Sequence, residues 1–137
     1  MKEPNAISID PEVLTRLAKV STTTIGMQLY KRSYRRCYLG GVKPLHPGTA
    51  SFVAPAFTLR NIPMRENVDD TAILGDSEYP QRSAIGTTPS GYCPVNDACA
   101  NVTAGTIGDI LAERLRVQGV TAAVTDDAVR DSGDLEA

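Results

Sequence analysis

The chain has 137 residues, the size of one domain, and its 14 Lys and Arg against 16 Asp and Glu leave a formal charge of −2. That near balance gives no electrostatic argument for nucleic acid or for an acidic membrane surface. No apolar run approaches the roughly 20 residues of a membrane-spanning helix.

The opening residues, MKEPNAISIDPEV, lack the apolar stretch of a signal peptide. Asp10-Pro11 is a helix start, with an N-cap carboxylate and proline in the first turn. Val13, Leu14, Leu17 and Val20 then recur at helical spacing. Ser21 and Thr22 cap a second helix to about Lys31, with Ile25, Leu29 and Met27 on its buried side. Residues 32–49, rich in Gly, Pro and Arg, read as loop. A strand is expected over 50–59, where Pro55 demotes it to an edge, a bulge or a bend. Pro80 and Gln81 open a short helix, and a buried strand is expected at 92–95, weakened by Pro94. The last third is the clearest. Residues 105–119 form an amphipathic helix ended by Gly119, with Ile107, Ile110, Leu111 and Leu115 on one face. Val120–Val124 is a short buried strand, followed by the polar turn TDDAVRD. Helix, glycine, strand and polar turn in that order indicate an α/β arrangement.

In open α/β sheets ligands bind beyond the carboxyl ends of strands, which is where Asp126, Asp127, Arg130 and Asp131 fall. Gly108, Asp109, Ile110 and Leu111 stand at a helix N-terminus, whose unpaired amides attract anionic oxygens. Taken singly, Asp109 is a favourable first-turn residue, and Arg130 beside Asp131 is a surface ion pair. Other features carry less. His46 sits in a loop without a partner, and Cys37, Cys93 and Cys99 form no zinc cluster. Their odd number and spacing fit reduced thiols, hence a cytoplasmic protein. Asn101-Val102-Thr103 is an incidental sequon, and the acidic run after Asp126 lacks the ligand spacing of an EF-hand. Arg32, Arg35 and Arg36 form a small basic cluster, read as solvated surface, a subunit contact or an anion site.

Spacing joins the two groups. Asp109 is followed by twenty residues, 110–129, and then by Arg130-Asp131. This D-x20-R-D pattern, within GDILAERLRVQGVTAAVTDDAVRD, resembles the class II pyruvate aldolases typified by 4-hydroxy-4-methyl-2-oxoglutarate aldolase. That family includes the regulator of ribonuclease E activity A (RraA). Weaker similarity extends through VSTTTIGMQLYKR, GVKPLHPG, FVAPAFTLR and MRENVD. The resemblance implies one RraA-like domain over 1–137, with N-terminal helices at about 10–31 and a sheet and metal-site half at about 50–137. The implied fold is a layered β/β/α, swivelling-domain-like architecture with βαβ units.

The implied activity is divalent-metal-dependent lyase chemistry. A 4-hydroxy-2-oxo acid is cleaved to pyruvate, with oxaloacetate decarboxylation as a side activity. By the motif, Asp131 is the metal ligand, for Mg²⁺ or Mn²⁺. Asp109 and Arg130 are catalytic. Gly108, Asp109, Ile110, Leu111 and Arg130 bind substrate. The implied partners are a small 2-oxo acid and further copies of the chain, as a trimer or higher homo-oligomer, with neither nucleic acid nor membrane. The alternatives are a non-catalytic regulator that binds ribonuclease E and an inactive fragment. The chain departs from the family pattern at Asp127 and Ala54, both normally Gly, and at Cys93–Asn96, normally apolar. If the turn at Asp127 needs a positive φ, Asp tolerates that better than most residues, and it adds a charge beside the metal. The family's chains also run on beyond the R-D motif, so this one is expected to be incomplete at its C-terminus.

Overall fold

The first two helix starts each rest on a short polar side chain. In the computed structural model, which describes residues 9–133, the Asp10 carboxylate accepts from the Glu12 amide at 2.9 Å and opens α1 (Pro11–Leu17). The Ser21 hydroxyl accepts from the Thr24 amide and opens α2 (Thr22–Lys31). Neither helix has a buried residue. Leu14, Leu17, Ile25 and Leu29 are half-buried, whereas Val13, Val20 and Met27 are exposed. The buried face expected of Met27 is therefore narrower than its spacing implied.

The chain divides into two compact units. One runs to Gly40 and takes in Ser51–Val53, and the other comprises Gly41–Ala50 and the chain from Ala54 onward. All the strands lie in the second. β1 is Ala56–Arg60, shorter than the expected 50–59 because pairing starts only after Pro55. A 3₁₀ helix, Thr71–Gly75, precedes α3 (Pro80–Thr87), which starts at the expected proline. β2 is Cys93–Asp97, β3 Gly105–Ile107, α4 Asp109–Val117, β4 Val124–Thr125 and β5 Ala128–Val129. β1, β2 and β4 form a sheet in that spatial order, and β3 and β5 form a second, two-stranded ladder. Every pairing is parallel. Parallel neighbours require crossovers, which α3 supplies between β1 and β2, and α4 between β2 and β4. The α/β class expected from the sequence is the one found.

Three local readings change. The stretch 105–119 is not one helix. Residues 105–107 are β3, and the helix begins at Asp109 with Gly108 as its N-cap. Ile107 is buried in β3, whereas Ile110 is 73% exposed, so the buried face of α4 centres on Leu115. The strand expected at 120–124 is confined to Val124–Thr125 and is half-buried. Gly119 does end α4. It has φ 75° and closes a Schellman motif, with Gly119 N–H donating to Arg116 O and Val120 N–H to Leu115 O.

Pro94 explains the short β4. It is fully buried in the central strand and lies opposite Phe57. Cys93 N–H donates to Pro55 O and Thr121 N–H to Tyr92 O, so odd residues of β2 bond towards β1 and even ones towards β4. The nitrogen of Pro94, which has no hydrogen, therefore faces β4, and that ladder starts only at Val95 opposite Val124. β1 keeps its full five-residue register against β2. The core between sheet and helices is small: Ala84, Ile85, Cys93, Pro94, Ile107 and Leu115. α3 and α4 meet at Gly86, where the Arg114 side chain packs and Gln118 Nε2 donates to Gly86 O at 2.7 Å.

Candidate functional site

β3 and β5 are parallel neighbours, with Gly105 opposite Ala128 and Ile107 opposite Val129. Their carboxyl ends therefore lie side by side. Gly108 and Asp109 leave one, and Arg130 and Asp131 leave the other. The twenty residues between Asp109 and Arg130 hold the rest of α4, β4 and the turn into β5. The spacing is thus the chain length needed to leave the end of one strand and return beside it.

Two glycines lie beneath this approach, and only the first requires the absence of a Cβ. At Gly105 a Cβ would lie 2.6 Å from Arg130 Cγ and 2.8 Å from Ala128 O, so the Arg130 side chain crosses directly over Gly105. At Gly108 a Cβ would lie 3.3 Å from Asp131 Oδ2 and 3.7 Å from Arg130 Nη2. A guanidinium and a carboxylate thus converge on the bare backbone at the start of α4. Arg130 N–H donates to Ile107 O at 3.0 Å and fixes the turn. Asp131 has φ 56°, in the left-handed region that costs a residue with a Cβ. Both residues are exposed, and neither belongs to an ion pair among the described residues. The surface pair expected from Arg130 and Asp131 as sequence neighbours does not form.

Asp109 stands at the first position of α4, and its Oδ1 accepts from the Ile110 amide at 2.7 Å. One of the helix's otherwise unpaired amides is thereby occupied. The Ile110 side chain is exposed, and Leu111 is half-buried one residue further on. Gly108, Arg130 and Asp131 are brought together, whereas the Asp109 carboxylate turns onto its own helix.

Asp126 and Asp127 hold the frame. Asp127 Oδ2 accepts from Thr106 N–H at 2.8 Å, and its Oδ1 accepts from the Thr125 hydroxyl at 2.5 Å. Its φ is not positive, so the turn accepts Asp without strain, and its charge serves β3. Asp126 accepts from the Ala98 and Ala100 amides at 2.7 and 2.8 Å, which lowers its pKa below the usual carboxylate value. Those amides belong to a loop where Cys99 and Ala100 are both left-handed, with φ 59° and 53°. Below Thr106 runs a polar seam. Asn61 Nδ2 donates to Asn96 Oδ1, Asn96 Nδ2 to Thr106 Oγ1, and Gln81 Nε2 to Thr106 O. Asn96 is 5% exposed, so its amide is satisfied rather than stranded. The sequence signal for these supports was the run of short acceptors, Asp and Thr, immediately after a strand.

Among the described residues no three His, Cys, Asp or Glu side chains form a cation cage. The donor set at Gly108 is one exposed carboxylate beside backbone that no Cβ fills. That set fits a hard, extensively hydrated cation such as Mg²⁺, which takes one or two protein carboxylates and fills the remainder with water and substrate oxygens.

Residues 18–137 match the family model described as RraA-like, Aldolase/RraA. No protein of curated function matches the sequence significantly. Among solved structures, RraAS2 of Streptomyces coelicolor, described as an unusual member of the RNase ES inhibitor RraA protein family, is 28% identical with a TM-score of 0.77. The alignment covers 93% of this chain and 59% of RraAS2. An uncharacterized protein from Pseudomonas syringae pv. tomato is 23% identical with a TM-score of 0.73, covering 93% of this chain and 53% of that one, a likeness of fold alone. The chain thus spans little more than half the length of these proteins. With the family model matching nearly all of the sequence and the parallel β3–β5 ladder assembling its motif, the chain belongs to the RraA-like family.

Proposed function

We propose that this protein is a divalent-metal-dependent lyase that cleaves 4-hydroxy-4-methyl-2-oxoglutarate, or a related 4-hydroxy-2-oxo acid, to pyruvate, and decarboxylates oxaloacetate as a side reaction. The observation that carries the proposal is the convergence of Arg130 and Asp131 on Gly108 without pairing to each other. Two opposite charges held close and left open suit a substrate that brings its own carboxylate and a cation.

In the cleavage the bond between C3 and C4 breaks. The C4 hydroxyl gives up its proton and becomes a carbonyl, and the electron pair passes to C3 and the 2-oxo oxygen as an enolate. Protonation at C3 yields pyruvate. Asp131 would hold the cation, which supplies positive charge where the enolate forms. The Arg130 fork binds the substrate carboxylate and the 2-oxo oxygen in one plane. Backbone N–H groups at the start of α4 add partial positive charge to the same end. Asp109 holds a water at the site or moves the hydroxyl proton through it. Oxaloacetate loses carbon dioxide through the same enolate.

The proposal includes a homo-oligomer, a trimer or higher, and a cytoplasmic setting, which the free thiols of Cys37, Cys93 and Cys99 support. A second reading is a binding protein that regulates a ribonuclease, favoured by the likeness to RraAS2. Pyruvate release from oxaloacetate by the purified chain, with Mg²⁺ and then with excess EDTA, separates the readings. Metal-dependent release supports the lyase. Its absence in a folded chain points to an inactive fragment of the lyase or to the binding protein.

A further inference from the structure

The near-neutral charge of this chain is unevenly distributed. From Val13 to Arg65 there is no Asp or Glu, yet nine of the 14 Lys and Arg lie there. The other five share the rest of the chain with all 16 acidic residues. Within the acid-free stretch, residues 30–38 read Tyr-Lys-Arg-Ser-Tyr-Arg-Arg-Cys-Tyr. The rings recur every four residues, the first two each followed by two cations and a small residue, and the stretch holds three of the chain's five tyrosines.

The pattern is presented on a built scaffold. α2 ends in a Schellman motif with Ser33, at φ 70°, in the place usual for glycine. Ser33 N–H donates to Tyr30 O at 3.0 Å and Tyr34 N–H to Leu29 O at 3.1 Å. The chain then turns back, bringing Cys37 Sγ to 3.8 Å from Gly26 O. The Arg35 guanidinium lies 4.6 Å over the Tyr30 ring, and Arg32 Nη1 donates to Gln28 O at 2.9 Å. The rings nonetheless stay in solvent, with Tyr30 54%, Tyr34 62% and Tyr38 79% exposed. Among the described residues none of Lys31, Arg32, Arg35 and Arg36 has an acidic partner.

We propose that residues 30–38 form a binding surface for single-stranded nucleic acid. Cations alone would suit any polyanion. Rings alternating with cation pairs suit a polymer that alternates flat bases with phosphates, because unstacked bases lie on aromatic faces while the backbone follows the charge. A duplex hides its base faces and cannot use the rings. The charge of the whole chain argued for no nucleic-acid partner. Its distribution, together with the exposed tyrosines, argues for one. This surface is independent of the lyase reading.

The test is fluorescence anisotropy of a fluorescein-labelled oligouridylate of about 12 nucleotides, titrated with the full 137-residue chain over a range of salt. Four contacting cations predict a slope of log K against log salt of about −3, which Arg36→Ala flattens by about 0.7. Tyr34→Ala and Tyr38→Ala each weaken binding about fivefold or more without changing that slope, and Tyr34→Phe retains it. These residues are exposed, and an unchanged helical circular dichroism signal confirms that the variants remain folded. The proposal is overturned by no binding at about 50 mM salt. It is equally overturned if the Tyr34→Ala/Tyr38→Ala double variant binds as the parent does, which would leave a plain polyanion surface. Binding of duplex, of an acidic peptide or of anionic vesicles as tightly as the oligouridylate would also overturn it.

Discussion

Asp127 Oδ2 accepts a hydrogen bond from the Thr106 amide at 2.8 Å, and this bond ties β3 to the turn that delivers Arg130. This carboxylate stabilises the ladder that assembles the site. Asp127→Gly removes both of its hydrogen bonds. A loss of about 1–3 kcal/mol is expected, the usual cost for a bond to a charged acceptor, and a lower urea midpoint at unchanged slope would show it. An unchanged midpoint would mean that solvent replaces the bond.

The two site glycines should respond differently. At Gly105 a Cβ meets the Ala128 carbonyl at 2.8 Å as well as Arg130, so backbone must move. Gly105→Ala is expected to destabilise the fold by about 1–3 kcal/mol, as overpacking does. At Gly108 a Cβ reaches only side chains, the nearest being Asp131 Oδ2 at 3.3 Å. Gly108→Ala should keep the melting temperature while raising the Mg²⁺ concentration needed for half-maximal pyruvate release.

Arg130→Ala and Asp131→Asn test the lyase reading directly. Both side chains are exposed, so stability should change by less than about 1 kcal/mol. Asn also tolerates the φ of 56° at position 131. Each substitution is expected to abolish pyruvate release, and Asp131→Asn also to remove the response to added Mg²⁺. Activity surviving Arg130→Ala would place the substrate elsewhere.

The pH dependence has a definite sign. Hydrogen bonds from Ala98 and Ala100 hold the Asp126 pKa below its ordinary value in the folded chain. A carboxyl group so depressed contributes stability above its unfolded pKa of about 3.9, and that contribution disappears as pH falls through the lower folded value. Stability measured between pH 5 and pH 2, a range set by that unfolded value of about 3.9, should fall less steeply for Asp126→Asn than for the parent. Identical acid limbs would remove Asp126 from the account.

The cysteines should separate by reactivity. Burial pushes the Cys93 thiol up to about 11, so it stays neutral at pH 8, whereas Cys37 and Cys99 are exposed. Iodoacetamide followed by peptide mass spectrometry should label Cys37 and Cys99 first, and Cys93 only in denaturant. Early labelling of Cys93 would show β2 opening.

Local chemistry was legible in the sequence wherever it acts over a few residues. Asp10, Ser21, Pro80 and Gly119 mark helix ends in the structure as they do in the sequence, because a cap is satisfied within one turn. The D-x20-R-D motif was legible as spacing and residue type. Periodicity was less reliable beside the site, since Ile107 and Ile110 share a helical repeat but fall in different elements. The fate of Pro94 was not legible, because whether a missing N–H matters depends on which neighbouring strand it faces.

By itself, then, the sequence determined the α/β class, the helix starts at Asp10, Ser21 and Pro80, the end of α4 at Gly119 and the residues of the motif, all of which follow from neighbours a few positions apart or from a fixed pattern. Only the tertiary structure decided that β3 and β5 pair in parallel, that Arg130 and Asp131 meet over Gly108, and that Asp127 supports β3. Those outcomes depend on register between distant segments, and register is set by packing and hydrogen bonding across the fold.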